Sequence, residues 1–190
     1  MSDPWSGHMS AAKGVMRYLK GKPNLELTFM NSSHVLTGFC DSSYISPDPE
    51  QARSTGYMFF LGSNIISYSS RLQRLVAQSS TESELISAAD IAKEAKYLMT
   101  LFGELGVTEA TRCTLRVDNL GAIILAQHNK FSPRTKHLGV RLHALRYLVR
   151  TDQIQLHHVR SKSQRSDLLT KFLSRPEHNR AMEQVIYFTP

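Results

Sequence analysis

The stretch TRCTLRVDNLGAIILAQ (residues 111–127) decides the fold class. Cys113, Leu115 and Val117 alternate with Thr114, Arg116 and Asp118, the period-two pattern of a half-buried strand. A helical run begins at once at Asn119, and a strand that runs straight into a helix reads as a parallel α/β unit. Upstream, Ser80 to Leu105 carries Leu85, Ala88, Ala89, Ala92, Ala95, Leu98, Met99, Phe102 and Leu105 on one wide apolar face, closed by Gly106, and this predicts a long helix. Before it lie three β-rich runs, Val35 to Ser42, Ser54 to Leu61 and Asn64 to Ser70, with Gly62-Ser63 marking a hairpin between the last two. Leu25, Leu27 and Phe29 also alternate with polar residues, which predicts a further strand joined through Asn31-Ser32-Ser33, and a short leading helix is expected over Ala11 to Lys20. Downstream, Ser132-Pro133 signals a helix through Arg150 with the stripe Leu138, Leu142, Leu145, Leu148 and Val149. A strand from Ile154 to Val159, a polar loop from Ser161 to Arg165 and a last helix from about Ser166 complete the reading.

A chain of 190 residues is a little over one typical domain. With 41% apolar and 21% charged residues it is an ordinary folded chain, which excludes disorder, collagen-like repeats and a disulfide scaffold. No run approaches the roughly 18 apolar residues that a membrane span needs. The surplus of 23 Lys and Arg over 16 Asp and Glu, with a pI near 9.6, suits a polyanionic partner. Met1 to Met9 reads as an expression scar and is set aside. The two cysteines, Cys40 and Cys113, sit in apolar runs, as in a reducing compartment.

Four acids stand at element ends or on faces that should be apolar. Asp41, at the end of a strand, reads equally as the opener of a turn or as a ligand. Asp118, at a strand-to-helix junction, is an N-cap or a ligand at the carboxyl ends of the strands, where open α/β sheets bind. Thr81 and Glu84 could form a capping box, but Ser79 and Glu82 offer the same device two residues earlier and leave Glu84 surplus to capping. Glu84 then shares a face with Ala88, Ile91 and Ala95, where an unpaired carboxylate is costly. Asp167 is a first-turn acid or a ligand.

GFCDSSY (38–44), RSTGYMFFLG (53–62), SSTESELISAADIAKEAKYL (79–98), VDNLGAI (117–123), RTKHLGVRLH (134–143) and SDLLTKFL (166–173) resemble the ribonuclease H domain that closes the Pol polyprotein of copia-type LTR retrotransposons. The leading AAKGVMRYLKGKPNLELTF resembles the end of the reverse transcriptase and connection region, so residues 10–33 would belong to that region and 34–190 to the ribonuclease H domain. The resemblance implies an α/β ribonuclease H-like fold, a five-stranded mixed sheet with helices on both faces, whose first three strands form an antiparallel meander. It implies that Asp41, Glu84, Asp118 and Asp167 are the metal-binding catalytic carboxylates, holding two Mg²⁺ ions for which Mn²⁺ can substitute. Asp41 is expected to bridge both ions, with Glu84 and Asp118 on one and Asp167 on the other; two such ions can activate water and stabilise a leaving oxyanion. It further implies an RNA–DNA hybrid as substrate, the reverse transcriptase of the same polyprotein as partner, no membrane, and a place in the cytoplasm within virus-like particles.

Hybrids expose 2′-hydroxyls in a shallow minor groove, and Ser80, Thr81 and Asn119 flank the acids as short polar groups that could read them. Between Asn119 and Thr151 lie six basic residues and no acid; of these, Arg134, Lys136 and Arg141 are expected to meet phosphates, a solvated helix face being the plainer alternative. Two departures stand out: Asp41-Ser42-Ser43-Tyr44 replaces the frequent Asp-Ala-Asp-Trp, and Gly139 stands where Asp is usual; the Ser161 to Arg165 loop lacks the histidine of cellular ribonucleases H, as is common in copia-type domains. Two rival readings share the fold. One is a module that binds nucleic acid without cutting it; the other, a transposase or integrase, would lack Glu84 and end on Glu in place of Asp167. If Asp41 lies beside Asp118, Cys40 and Cys113 are four residues, about 13 Å, out of step, beyond the roughly 7 Å that a disulfide spans, so both are expected to be free.

Overall fold

The alternating runs pair into one sheet in the computed structural model, which describes residues 5–44, 54–73, 75–128 and 138–186. Strands β1 (Leu36–Ser42), β2 (Ser54–Leu61) and β3 (Asn64–Leu72) form an antiparallel meander; β4 (Cys113–Val117) adds parallel to β1, and β5 (Ile154–His158) parallel to β4, in the order β3-β2-β1-β4-β5. The β2–β3 hairpin turns at Gly62-Ser63, where Gly62 takes φ +61°, a left-handed value open to glycine at no steric cost.

Alternation sorts the side chains between two layers. Leu36, Cys40, Phe59, Cys113, Leu115 and Val117 pack against the helices α2 (Ser80–Glu104), α3 (Leu120–Gln127) and α4 (Gly139–Arg150), through Leu85, Ala88, Ile91, Leu142 and Leu145. Each fully buried aliphatic side chain there contributes about 1.5–3 kcal/mol. On the other face, Phe39, Met58, Phe60, Ile65 and Val159 pack with Val185, Leu168 and Leu169 of the C-terminal segment, which contains α5 (Arg175–Glu183). Helix α2 ends as its sequence predicts, with Gly106 at φ +77° and Val107 N–H on the Phe102 carbonyl at 2.9 Å. The leading helix α1 (Ser6–Lys20) buries no residue and touches the rest through Tyr18, whose ring meets His178 edge to face. No helix of the described residues is long and apolar enough to cross a membrane.

Three expectations are corrected. Leu25 to Phe29 form no strand: Leu27 and Phe29 are 46% and 66% exposed, so their alternation has no layer to face. The segment is tied down instead by Asn64, whose side-chain amide exchanges two hydrogen bonds of 2.8 Å with the Met30 backbone. The last helix does not begin near Ser166; Arg165–Leu169 is a 3-10 turn, and α5 starts at Arg175 behind a reciprocal Ser174–Glu177 capping box. The leading helix begins at Ser6 and not at Ala11. The Ser132-Pro133 helix start lies outside the described residues, within which α4 opens at Gly139. Cys40 and Cys113 are both free and buried, and the Leu36–Cys113 pairing puts them four residues out of step.

One glycine is needed for close approach. Gly56 pairs with Asp41 across the sheet, and a Cβ built on it would lie 2.7 Å from Thr170 Cγ2 and 2.8 Å from Leu169 Cβ. Gly56→Ala should therefore lift the 165–169 turn from the sheet and cost about 1–3 kcal/mol, the usual penalty of overpacking. Urea unfolding with an unchanged midpoint would show that the turn does not rest on this strand.

Candidate metal centre

Each acid is delivered to one edge of the sheet by a different element. Asp41 is the penultimate residue of β1, and Asp118 follows β4. The β1–β4 register ends at Phe39 opposite Arg116, so two residues further on Asp41 comes opposite Asp118. Asp118 is not the cap of α3: Asn119 is, its side-chain oxygen accepting from Ala122 N–H at 3.0 Å. Glu84 is not the capping acid of α2 either. Ser79 caps, accepting from Glu82 N–H at 3.2 Å, and Glu82 accepts from Gln78 N–H at 2.9 Å. Both acids are thus released from local duty, and one turn into α2 Glu84 faces the end of β1.

Asp41, Glu84 and Asp118 each offer an oxygen within 4.8 Å of the others. Glu84 Oε1 accepts from the N–H and the hydroxyl of Ser42, both at 2.9 Å. Its other oxygen, Oε2, is buried and has no hydrogen-bond partner among the described residues. Asp41 Oδ2 accepts from the Thr170 hydroxyl, and Lys171 Nζ lies 3.3 Å from Asp41 Oδ1 and 2.8 Å from Asp167 Oδ1. Asp118 accepts from Ser161 Oγ at 3.4 Å, and its backbone carbonyl lies 3.2 Å from His158 Nε2. Gln164, itself buried, donates to the Cys40 carbonyl at 2.8 Å and accepts from Ser166 at 3.0 Å, which seats the turn bearing Asp167 on β1.

Burial dominates the protonation of the cluster. It pushes Glu84 up to about 8, with the Asp41 charge adding and the Ser42 hydrogen bonds opposing. It raises Asp41 to about 6 against the pull of Lys171 and Thr170, and raises Asp167 likewise against Lys171. Burial would lower the Lys171 ammonium, but Asp41 and Asp167 outweigh it and hold the amine above its ordinary value. A buried acceptor without a donor, among hard oxygen ligands, fits a divalent cation such as Mg²⁺ or Mn²⁺.

The expected substrate contacts fare differently. Ser80 is exposed and Thr81 partly so at the start of α2, and Asn119 Nδ2 reaches Thr81 Oγ1 at 3.5 Å, so the three form one rim beside the acids. Arg141 is held on α2, its Nη1 2.9 Å from both carboxylate oxygens of Asp90. Arg134 and Lys136 lie outside the described residues. Arg146, another of the basic residues in this stretch, is buried and donates to the Leu125 carbonyl at 2.9 Å near the end of α3. Sequence reasoning missed Ser42, Gln164, Thr170 and Lys171. The signal for the last two was their spacing of three and four from Asp167, which one turn of helix brings to the same side.

No family model matches the chain. It is 31% identical over 185 residues to a retrovirus-related Pol polyprotein from transposon TNT 1-94 of Nicotiana tabacum, covering 97% of this chain. It is 33% identical over 177 residues to the Pol polyprotein from transposon RE1 of Arabidopsis thaliana, covering 92%. The chain spans 14% and 12% of the length of these relatives. Among solved structures, the N-terminal RNase H domain of a Mycobacterium tuberculosis protein aligns with a TM-score of 0.47 and 14% identity over 80% of this chain and 98% of that one. LC11-RNase H1, solved in complex with an RNA/DNA hybrid, gives 0.48 and 12% over 70% and 92%.

Asp41 and Glu84 hold their protons more tightly folded, at about 6 and about 8, than at their ordinary 3.8 and 4.5. The unfolded chain therefore releases protons first as pH rises, and the metal-free fold loses stability across that window. Its melting temperature should be lower at pH 8.5 than at pH 5.5, and Mn²⁺ should recover most of the loss at pH 8.5; a melting temperature that rises with pH in the absence of metal would contradict the burial of these acids. Sequence identity across nearly the whole chain makes this protein a relative of one segment of the retrovirus-related Pol polyproteins of transposons, folded as an α/β domain on a five-stranded mixed sheet.

Proposed function

We propose that this domain is a metal-dependent ribonuclease H that hydrolyses the RNA strand of RNA–DNA hybrids during reverse transcription of a retrotransposon. The observation that carries the reading is the buried, unpartnered Glu84 Oε2 between Asp41 and Asp118, in a chain related to Pol polyproteins. Asp41, Glu84 and Asp118 would hold one Mg²⁺ and Asp41 with Asp167 a second. Bound there, such ions supply a nucleophilic water and stabilise the leaving oxyanion.

The chain's own residues do the positioning. Ser42 fixes one oxygen of Glu84 and leaves the other for a ligand. Thr170 orients Asp41, and Gln164 and Ser166 lock the turn that presents Asp167. Gly121 lets the starts of α2 and α3 meet, since a Cβ there would lie 3.1 Å from both Thr81 Cγ2 and Asn119 Oδ1. The resulting Ser80, Thr81 and Asn119 rim would donate to and accept from 2′-hydroxyls, while Arg134 and Lys136 would meet phosphates from the basic stretch. The reverse transcriptase of the same polyprotein would be the partner that delivers the hybrid, in cytoplasmic virus-like particles.

With Mg²⁺ or Mn²⁺ the protein should cut the RNA of a labelled hybrid, leaving 3′-hydroxyl and 5′-phosphate ends, and spare single-stranded RNA. Asp118→Asn should keep the fold and lose more than about a hundredfold in rate, a larger loss than removal of an outer contact to a metal ligand produces. Hybrid binding without cleavage by the unaltered protein would favour a non-catalytic nucleic-acid module, and a wild-type rate in Asp118→Asn would remove that acid from the site.

A further inference from the structure

Half of the acidic centre already holds a cation, and it is a side chain. Lys171 Nζ bridges Asp167 Oδ1 at 2.8 Å and Asp41 Oδ1 at 3.3 Å, the pair of carboxylates that would take the second ion. The other half differs: among the described residues Glu84 Oε2 has no hydrogen-bond partner. We propose that the Lys171 ammonium is a resident counter-ion that a divalent cation must displace to use Asp41 with Asp167, so that the two halves of the centre load in order, the Asp41–Glu84–Asp118 half first. This rests on reading the centre as a metal site.

The geometry suits a displaceable ion. Lys171 lies four residues beyond Asp167, at the spacing that keeps its amine over that carboxylate. Asp41 is 1% exposed, whereas the Lys171 side chain is 37% exposed, so the amine has a route to water that the carboxylate lacks. Lysine is a compact, strongly hydrated charge on a flexible four-carbon stem, and its departure needs rotamer changes only. An ammonium and a divalent cation cannot share one pair of carboxylate oxygens, because like charges at contact distance repel strongly even at a protein surface. In the metal-free protein the ammonium offsets the charge of Asp41 and Asp167; in the loaded protein it would have to face solvent. Lys171 is thus a residue that sets metal occupancy without being a ligand itself.

The test is binding, independent of cleavage. Mn²⁺ titration of the whole chain, followed by the electron paramagnetic resonance of the free ion, should show a strong step and a weak step. In Lys171→Met and Lys171→Gln the two steps should approach each other by about tenfold or more, while Lys93→Met, which removes a surface charge elsewhere, should leave them apart. The unaltered protein gives a second readout that needs no variant: with ¹⁵N-labelled lysine, the Lys171 ammonium resonance should persist through the first equivalent of Mg²⁺ and vanish or move with the second. An unchanged gap between the steps, or a Lys171 resonance indifferent to the second equivalent, would overturn the role of Lys171 and leave the nuclease reading standing. Absence of any Mn²⁺ binding would overturn both.

Discussion

The constraint on which the centre depends is the burial of Glu84 with only one of its two oxygens satisfied. Ser42 supplies two hydrogen bonds to Oε1, and among the described residues Oε2 has no hydrogen-bond partner. A carboxylate in that position costs free energy unless it takes a proton or a cation, and the rise of Glu84 to about 8 expresses the first alternative. The long apolar face of α2 imposes the position: Leu85, Ala88, Ile91 and Ala95 bury against the sheet, and this register carries Glu84 to the end of β1. The core therefore sustains the unfavourable placement of the acid.

The opposite side of the centre is built from short polar contacts. Asp167 sits on a 3-10 turn, and the turn is held by Gln164 on the Cys40 carbonyl, by Thr170 on Asp41 and by the bare surface of Gly56. Beneath it Leu168 and Leu169 pack with Phe39, Met58, Phe60, Ile65, Val159 and Val185. Glu84 is thus carried by the helical core, while Asp167 is carried by a turn and paired with a lysine side chain that is 37% exposed.

Much of this was legible in the sequence. All five strands were legible to within a residue or two: Cys113–Val117 by alternation, whereas Leu36–Ser42 and Ser54–Leu61, buried on both faces, read only as β-rich runs. Leu25 to Phe29 alternates likewise with no layer opposite, so alternation alone misled there. The start of the last helix was legible but unread: Ser174, Pro176 and Glu177 form a cap and first turn eight residues after Ser166. The surplus of Glu84 over capping needs followed from the order of Ser79, Glu82 and Glu84, and Asn119 does the capping that Asp118 might have done. The fates of the basic residues were not legible. Arg146 is spent on a backbone carbonyl and Arg141 on Asp90, and both choices depend on which helices lie side by side.

The most direct measurement is the melting temperature of Glu84→Gln beside the unaltered protein, at pH 8.5 with and without Mn²⁺. The amide keeps the shape, can still accept from Ser42, and removes the buried charge. The account predicts that the variant melts higher than the unaltered protein without metal, and that Mn²⁺ raises the unaltered protein well above its own metal-free value while scarcely moving the variant. A variant that melts lower without metal and still gains the full Mn²⁺ increment would contradict it, since Glu84 would then be a structural acid and the cation would bind elsewhere.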